Sequence, residues 1–168
     1  AATPIPPGYT EEEQAIMAIA QAASLAHAAS RDKLRDARND RRRLAKQAER
    51  ASALAATIDA AAGITADQRP AVLAELETAC KFDEPASEAT AAARRRYAAL
   101  AEAASASAEA AALARLLTYH DTALVEMATH HEIAITRRTD TRRQMGEMMR
   151  AKREQATATT RNLPENQP

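Results

Sequence analysis

The histidines are the side chains of this chain best suited to bind a metal ion. His120 and His131 lie eleven residues apart, which places them on one face of a helix, and His27 could approach them from a neighbouring helix. Carboxylate-bridged metal sites in helical bundles use paired Glu-x-x-His units, and the sequence contains none. We therefore expect histidines that pack between helices and bond to neighbours such as Ser30. No metal or other cofactor is predicted.

Catalytic chemistry has little support in the sequence. Three glycines in 168 residues leave no glycine-rich loop to cradle a phosphate and few tight turns to build an oxyanion hole. The single cysteine, Cys80, excludes an internal disulfide and the paired-cysteine metal motifs. The sequence thus predicts a protein without enzymatic activity and without a small-molecule substrate. A lone thiol is typical of a reducing compartment.

Arginine and methionine are concentrated between residues 136 and 153, a stretch that contains seven basic residues and only two acidic ones. Methionine adapts to irregular partner surfaces, and arginine can bind acidic or phosphate groups. We interpret this stretch as a docking surface for a protein partner or another subunit. The predicted contact residues are Arg137, Arg138, Arg142, Arg143, Met145, Met148, Met149, Arg150 and Arg153. Two alternatives stay open: phosphate binding on nucleic acid, or an intramolecular bundle covered by the N-terminal arm.

Composition determines which elements could position these residues. Alanine accounts for 46 of the 168 residues, whereas Leu, Ile, Val and Phe together number 22, and 23 basic residues balance 23 acidic ones. Alanine is the best helix former, but its side chain buries little area. The sequence therefore predicts long helices packed through thin, alanine-lined seams, and a monomer that needs self-association.

The chain order predicts an all-α, elongated antiparallel helical hairpin. Residues 1–10 form an extended, proline-rich arm, residues 11–159 a single hairpin domain, and residues 160–168 a flexible polar tail. Helices are predicted over about 11–62, 66–81 and 86–159. Thr10 and Glu13 have the spacing of a capping box, and Gly63 suits a helix C-terminus. Thr65 or Asp67 is the expected cap of the short helix, which closes one end of the hairpin.

Heptad seams predict how the two long helices pair. The first seam runs Ile16, Ala20, Ala23, His27, Ser30, Leu34, Ala37, Arg41, Leu44, Ala48, Ala51, Ala55, Ile58, Ala62. The second runs Ala92, Arg96, Ala99, Ala103, Ala106, Ala110, Leu113, Leu117, His120, Leu124, Met127, His131, Ala134. Large side chains face small ones when paired residue numbers add to about 150, with Leu34 opposite Leu117. A slip of one heptad is an open alternative. In this register the long helix projects alone beyond about Arg137.

These features together favour a structural role. We expect a non-enzymatic structural or adaptor subunit of a homo-oligomeric or multi-component assembly, located in the cytoplasm or in a virion or other large particle. Phage and viral virions contain alanine-rich helical proteins of this style. The first alternative is a nucleic-acid-associated or packaging protein that uses the basic helix. The second is a membrane-active protein that uses the uncharged run from Gln14 to Ser30, although 17 residues with two glutamines are short for a membrane span.

Overall fold

Three helices make up the fold. The computed structural model describes residues 8–81 and 87–161, which form α1 (Glu11–Ala62), α2 (Arg69–Lys81) and α3 (Glu88–Arg161). The described residues contain no strand. The long helices α1 and α3 pack against each other, so the predicted all-α helical hairpin is confirmed. Residues 1–7 of the predicted arm and residues 162–168 of the predicted tail lie outside the described residues.

Local hydrogen bonds explain where the helices begin and end. The Thr10 and Glu13 side chains each accept a hydrogen bond from the other residue's backbone N–H, at 3.2 and 2.8 Å, which is the predicted capping box. Gly63 ends α1 with a φ of 67°. There its N–H donates to the Ala60 carbonyl at 3.1 Å while the Ile64 N–H donates to the Asp59 carbonyl at 3.0 Å. This is a Schellman motif, and its left-handed residue favours glycine.

The caps of α2 and α3 are only partly those expected. α2 begins three residues after its predicted start, and Gln68 bonds back to Thr65, one of the two expected caps, as the last residue of a capping box does. The Gln68 carbonyl accepts from the Val72 N–H at 3.1 Å, and its side chain accepts from the Thr65 N–H at 2.9 Å. α3 is capped by Ser87, whose hydroxyl accepts from the Thr90 N–H at 3.3 Å. Pro70 is accommodated in the first turn of α2, where no backbone N–H is required.

The residues form two compact units. The first contains the start of α1 up to Asp36 and α3 from Leu124 onward, and the second contains residues 37–123 with all of α2. In the second unit Ala55, Ala103 and Ala106 are buried together, with Ile58 packed against them. This cluster shows the predicted use of alanine as the main buried residue. Leu100 is the largest fully buried side chain among the described residues.

Burial confirms the α1 seam in full and the α3 seam in part. Every predicted seam position of α1 is buried or half-buried, and so are most α3 positions from Ala103 onward. Near the start of α3 the prediction is wrong, because Ala92, Arg96 and Ala99 are exposed while Tyr97 and Leu100 turn inward. At the start of α3 the buried and half-buried positions 93, 97 and 100 each lie one residue after the predicted ones, so the heptad repeat is interrupted before Ala103.

The predicted register is also wrong. Arg41 faces Asp121 in the second unit, and in the first unit Ser30 contacts His131 while Glu13 contacts Lys152. Each partner lies roughly three to four helical turns further along α3 than the predicted pairing placed it. Alanine rows repeat along both helices, so matching large residues with small ones could not distinguish these slips. α3 therefore meets α1 up to Lys152, and the projecting end begins about four turns later than expected.

Candidate functional site

The predicted docking residues form two groups according to their contacts. Met145, Met148 and Met149 are half-buried, as is Arg138. The remaining members are exposed: Arg137, Arg142, Arg143, Arg150 and Arg153. The five exposed arginines thus remain accessible to a partner, whereas the methionines continue the seam of the first unit. The alternative that this stretch extends the intramolecular bundle fits the methionines.

Tyr9 and Lys152 fasten the beginning of the described chain to α3. The Lys152 ammonium donates to the Glu13 carboxylate at 2.6 Å and to the Gly8 carbonyl at 3.0 Å. It also lies 4.0 Å from the centre of the Tyr9 ring, within range of a cation–π contact. The Tyr9 hydroxyl donates to the Met149 sulfur at 3.7 Å. The hydrogen bond from Lys152 is the main cause that lowers the pKa of Glu13.

Two histidines stack at the centre of the first unit. The rings of His27 and His131 lie 5.1 Å apart between centroids, at 27° to each other. The Ser30 hydroxyl is 2.9 Å from Nδ1 of His131, as the sequence led us to expect for a packing histidine. Arg138 donates from Nη1 to Nδ1 of His27 at 3.2 Å, which requires that nitrogen to be unprotonated. The stacked pair is therefore a structural contact between α1 and α3.

The charges around His27 favour its neutral form. Burial, Arg138, His131 and Arg31 all lower the pKa of His27, with burial the largest cause. No carboxylate contributes to this shift. Proton binding at Nδ1 would also remove the hydrogen bond that Arg138 donates. The site is suited to losing stability in mild acid and unsuited to holding a cation.

The described residues give no support to a metal centre. No group of three or more His, Cys, Asp or Glu side chains in residues 8–81 and 87–161 could hold a metal ion. His120 belongs to the second unit, where it lies near Asp121. Asp121 is itself bonded to Arg41 through two hydrogen bonds, one of them 3.2 Å long between Nη2 and Oδ2. That arrangement is an ion pair between helices.

An apolar groove runs along one flank of the first unit. It has a volume of about 560 Å³ and is lined on α1 by Ile19, Ala22, Ala23 and Ala26. On α3 it is lined by His130, Ile133, Ala134, Arg137, Asp140, Thr141 and Gln144. Ile19 and Ile133 are 56% and 48% exposed, so two large apolar side chains face solvent here. Sequence reasoning missed this groove, because both isoleucines lie outside the predicted seams.

A smaller cavity in the second unit contains a buried ion pair. It measures about 300 Å³ and is lined by Asp59 and Arg69 together with Ser52, Ser107 and several alanines. The Arg69 and Asp59 side chains satisfy each other through two hydrogen bonds, one of 2.8 Å between Nε and Oδ1. Neither charge is left to bind a ligand. This pair has a structural role, and the sequence offered no signal for it, since the turn between α1 and α2 brings the two residues together.

Comparison with known proteins identifies no relative. No protein-family model, curated protein or solved structure matches the chain. Within the part of the chain that the structure describes, no helix combines the length and apolar character needed to cross a membrane.

Proposed function

We propose that this protein is a non-enzymatic structural or adaptor subunit that associates with copies of itself or with other proteins in a larger assembly. The observation that supports it most is the absence of charge from the exposed surface of α1 between Gln14 and Ser30. Ile19 and Leu25 in this run are 56% and 62% exposed. The run spans nearly five helical turns, and a helix face of that length that is turned to water normally carries charged residues. A face without them is suited to contact with another protein.

Further apolar residues of the first unit strengthen this proposal. On α3, Val125 is 67% exposed, and Ile133 and Ile135 are 48% and 42% exposed. Isolated apolar residues are common on protein surfaces and need no partner. Here, however, Ile133 lies in the same groove as Ile19, which makes part of the apolar surface continuous across both helices. We propose a virion or a comparable large particle as the setting, because long alanine-rich helices are common in the proteins of such particles.

Sedimentation equilibrium tests the proposed function. We expect the mass to rise from monomer to a defined oligomer between about 1 and 100 µM, the range of moderate protein affinities. Far-UV circular dichroism at the same concentrations serves as the control for folding. A monomeric mass throughout that range, together with failure to enter any assembly with co-expressed partners from the native source, would contradict the proposal.

Nucleic-acid binding is the second candidate, supported by the exposed arginines of α3. Arg142, Arg150 and Arg153 are exposed and have no ion pair among the described residues. Such a surface could neutralise phosphates, and the affinity would then fall steeply with salt. Fluorescence anisotropy with labelled duplex DNA, between 50 and 200 mM salt, distinguishes the two functions. Binding that weakens by about tenfold or more over this range, and that is lost in an R142S/R150S/R153S variant, would favour this candidate.

A further inference from the structure

The apolar groove of the first unit has a shape that is complementary to itself. Its α1 side presents Ile19 as a projecting side chain at one end and Ala26 as a small one at the other, with Ala22 and Ala23 between them. Its α3 side includes the charged residues Arg137 and Asp140. A two-fold axis perpendicular to a helix pairs residues that lie equally far from the axis in opposite directions.

A single axis suits both helices. Placed between Ala22 and Ala23, it brings Ile19 of one copy against Ala26 of the other, and Ala22 against Ala23. In the register set by Ser30 with His131, this level of α1 corresponds to the level of α3 between Arg137 and Asp140. The same axis therefore brings Arg137 of each copy to Asp140 of the other. In this arrangement a large side chain of one α1 faces a small side chain of the other α1, and opposite charges of the two α3 helices meet.

We propose that this groove binds a second copy of the same chain, with the two copies antiparallel about that axis. The proposal rests on the proposed function, since it names one partner and one surface for self-association. Alanines at the centre allow close approach of two antiparallel helices, and each isoleucine then fills the space above an alanine. The result is a packed layer of four helical segments, two from each copy, that covers Ile19 and Ile133.

Charge complementarity argues for a second copy over an unrelated protein. Arg137 has no ion pair among the described residues, and Asp140 is reached only by Arg143 at 3.5 Å, a distance near the limit for a hydrogen bond. Both groups are exposed and remain able to pair with another chain. Arg137 and Asp140 lie at equal distances on opposite sides of the axis, so a second copy supplies the matching charges automatically.

Charge reversal tests the pairing of Arg137 with Asp140. In a two-fold dimer, Arg137→Asp places two carboxylates together at both ends, and Asp140→Arg places two guanidinium groups together. We expect each single variant to self-associate about tenfold more weakly, because two favourable pairs become two repulsive ones. A 1:1 mixture of the two variants should regain the affinity of the wild type, since every contact in the mixed dimer is again between opposite charges. Circular dichroism confirms that each variant folds.

Site-specific crosslinking tests the position of the axis. In a Cys80→Ser background, a cysteine in place of Ala22 would lie close to its copy across the axis, and a short bismaleimide should join the two chains. The matched control is Ala111→Cys, because Ala111 is exposed and lies outside the groove. We expect a dimer band for Ala22→Cys and at least tenfold less for the control. Equal yields from the two positions would overturn the proposed surface.

The outcomes separate this inference from the proposed function. A wild-type chain that self-associates, but whose affinity is unchanged by Arg137→Asp and Asp140→Arg, would overturn the groove and leave self-association standing. The same holds if the mixture of the two variants fails to regain affinity. A wild-type chain that is monomeric at every concentration, with no crosslink at Ala22→Cys, would remove self-association itself. Weakened single variants with a restored mixture support both.

Discussion

Arg69 and Asp59 form a two-pronged ion pair that ties the start of α2 to the last turns of α1. One prong joins Nε to Oδ1 at 2.8 Å, and the second joins Nη2 to Oδ2. Both residues are buried, at 6% and 4% exposure, so water cannot replace either partner as the counter-charge of the other. The pair holds the short helix against the end of the hairpin that it was expected to close.

Removing either partner should destabilise the protein, because the other charge would stay buried without a counter-charge. We expect Arg69→Ala to lower the melting temperature by about 5–10 °C. Arg43→Ala is the matched control, since Arg43 pairs with Asp40 at 3.2 Å on the exposed surface, and should change it by less than about 2 °C. A D59L/R69M double variant should melt above the single variant. Equal melting of Arg69→Ala and Arg43→Ala would show that the buried pair is dispensable.

The same pair predicts part of the acid sensitivity. The hydrogen bonds from Arg69 lower the pKa of Asp59 below its ordinary value. A carboxylate with a lowered folded-state pKa contributes stability above its unfolded-state pKa, near pH 4, and loses it as pH falls through the folded value. The difference in melting temperature between the wild type and D59L/R69M should therefore shift in favour of the double variant below pH 4. Thermal melts from pH 2 to 5 measure this shift.

His27 predicts a separate loss of stability in milder acid. Its pKa is lowered by burial and by Arg138, His131 and Arg31, so the unfolded chain binds the proton at a higher pH than the folded one. Stability from neutral His27 is thus present above about pH 6.5 and falls as the pH drops through the window below that value. His27→Gln should flatten the melting temperature between pH 7 and 5. His130→Gln, at an exposed position, is the control and should keep the wild-type slope when both variants are measured at a concentration at which they are monomeric.

Metal removal should leave the fold unchanged. The described residues hold no cluster of three metal-binding side chains, and the two closest histidines are already bonded to Ser30 and Arg138. Dialysis against EDTA should therefore shift neither the helical signal at 222 nm nor the melting temperature. A loss of several degrees that zinc restores would instead give the His27 and His131 pair a role in binding metal.

Some features could be predicted from sequence because their causes are local. The capping box at Thr10 and the end of α1 at Gly63 depend on residues within a single turn. The α1 seam was also predictable, because burial recurs at heptad spacing regardless of which helix covers it. The register depended on side chains that lie far apart in sequence, such as Arg41 with Asp121. Alanine faces give nearly the same packing at several slips, so polar pairs of this kind decide between them.

Leu100 shows the limit of pattern reasoning for the core. It lies outside the predicted α3 seam and is nevertheless fully buried. Leu100→Ala should cost about 2–5 kcal/mol of stability, because a buried leucine leaves both lost apolar contact and a cavity. Leu116→Ala, at a residue that is 42% exposed, should cost less than about 1 kcal/mol. Urea titration compares the two variants, and a smaller loss for Leu100→Ala than for Leu116→Ala would contradict the burial.

The contact between Lys152 and Glu13 reverses an expectation drawn from the sequence. In the predicted register α3 projects alone beyond about Arg137, and residues 138–168 would then add nothing to the stability of the hairpin. The structure instead places Arg138 against His27 and Lys152 against Glu13 and Tyr9. Truncation before Arg138 should therefore expose the seam of α1 from Ile16 to His27 and destabilise the first unit.

Two truncations test this conclusion. A chain that ends at Arg137 should lose the pH-dependent contribution of His27 and melt at a lower temperature, with reduced helicity per residue at 222 nm. A chain that ends at Lys152 keeps Arg138, the three methionines and the contact with Glu13, so it should melt within about 2 °C of the full chain. Lys152→Ala in the full chain should cause a smaller loss than truncation at Arg137, since it removes one half-buried ion pair and leaves Arg138 and the methionines in place. If the chain ending at Arg137 melts like the one ending at Lys152, the packing of this segment on α1 adds no stability.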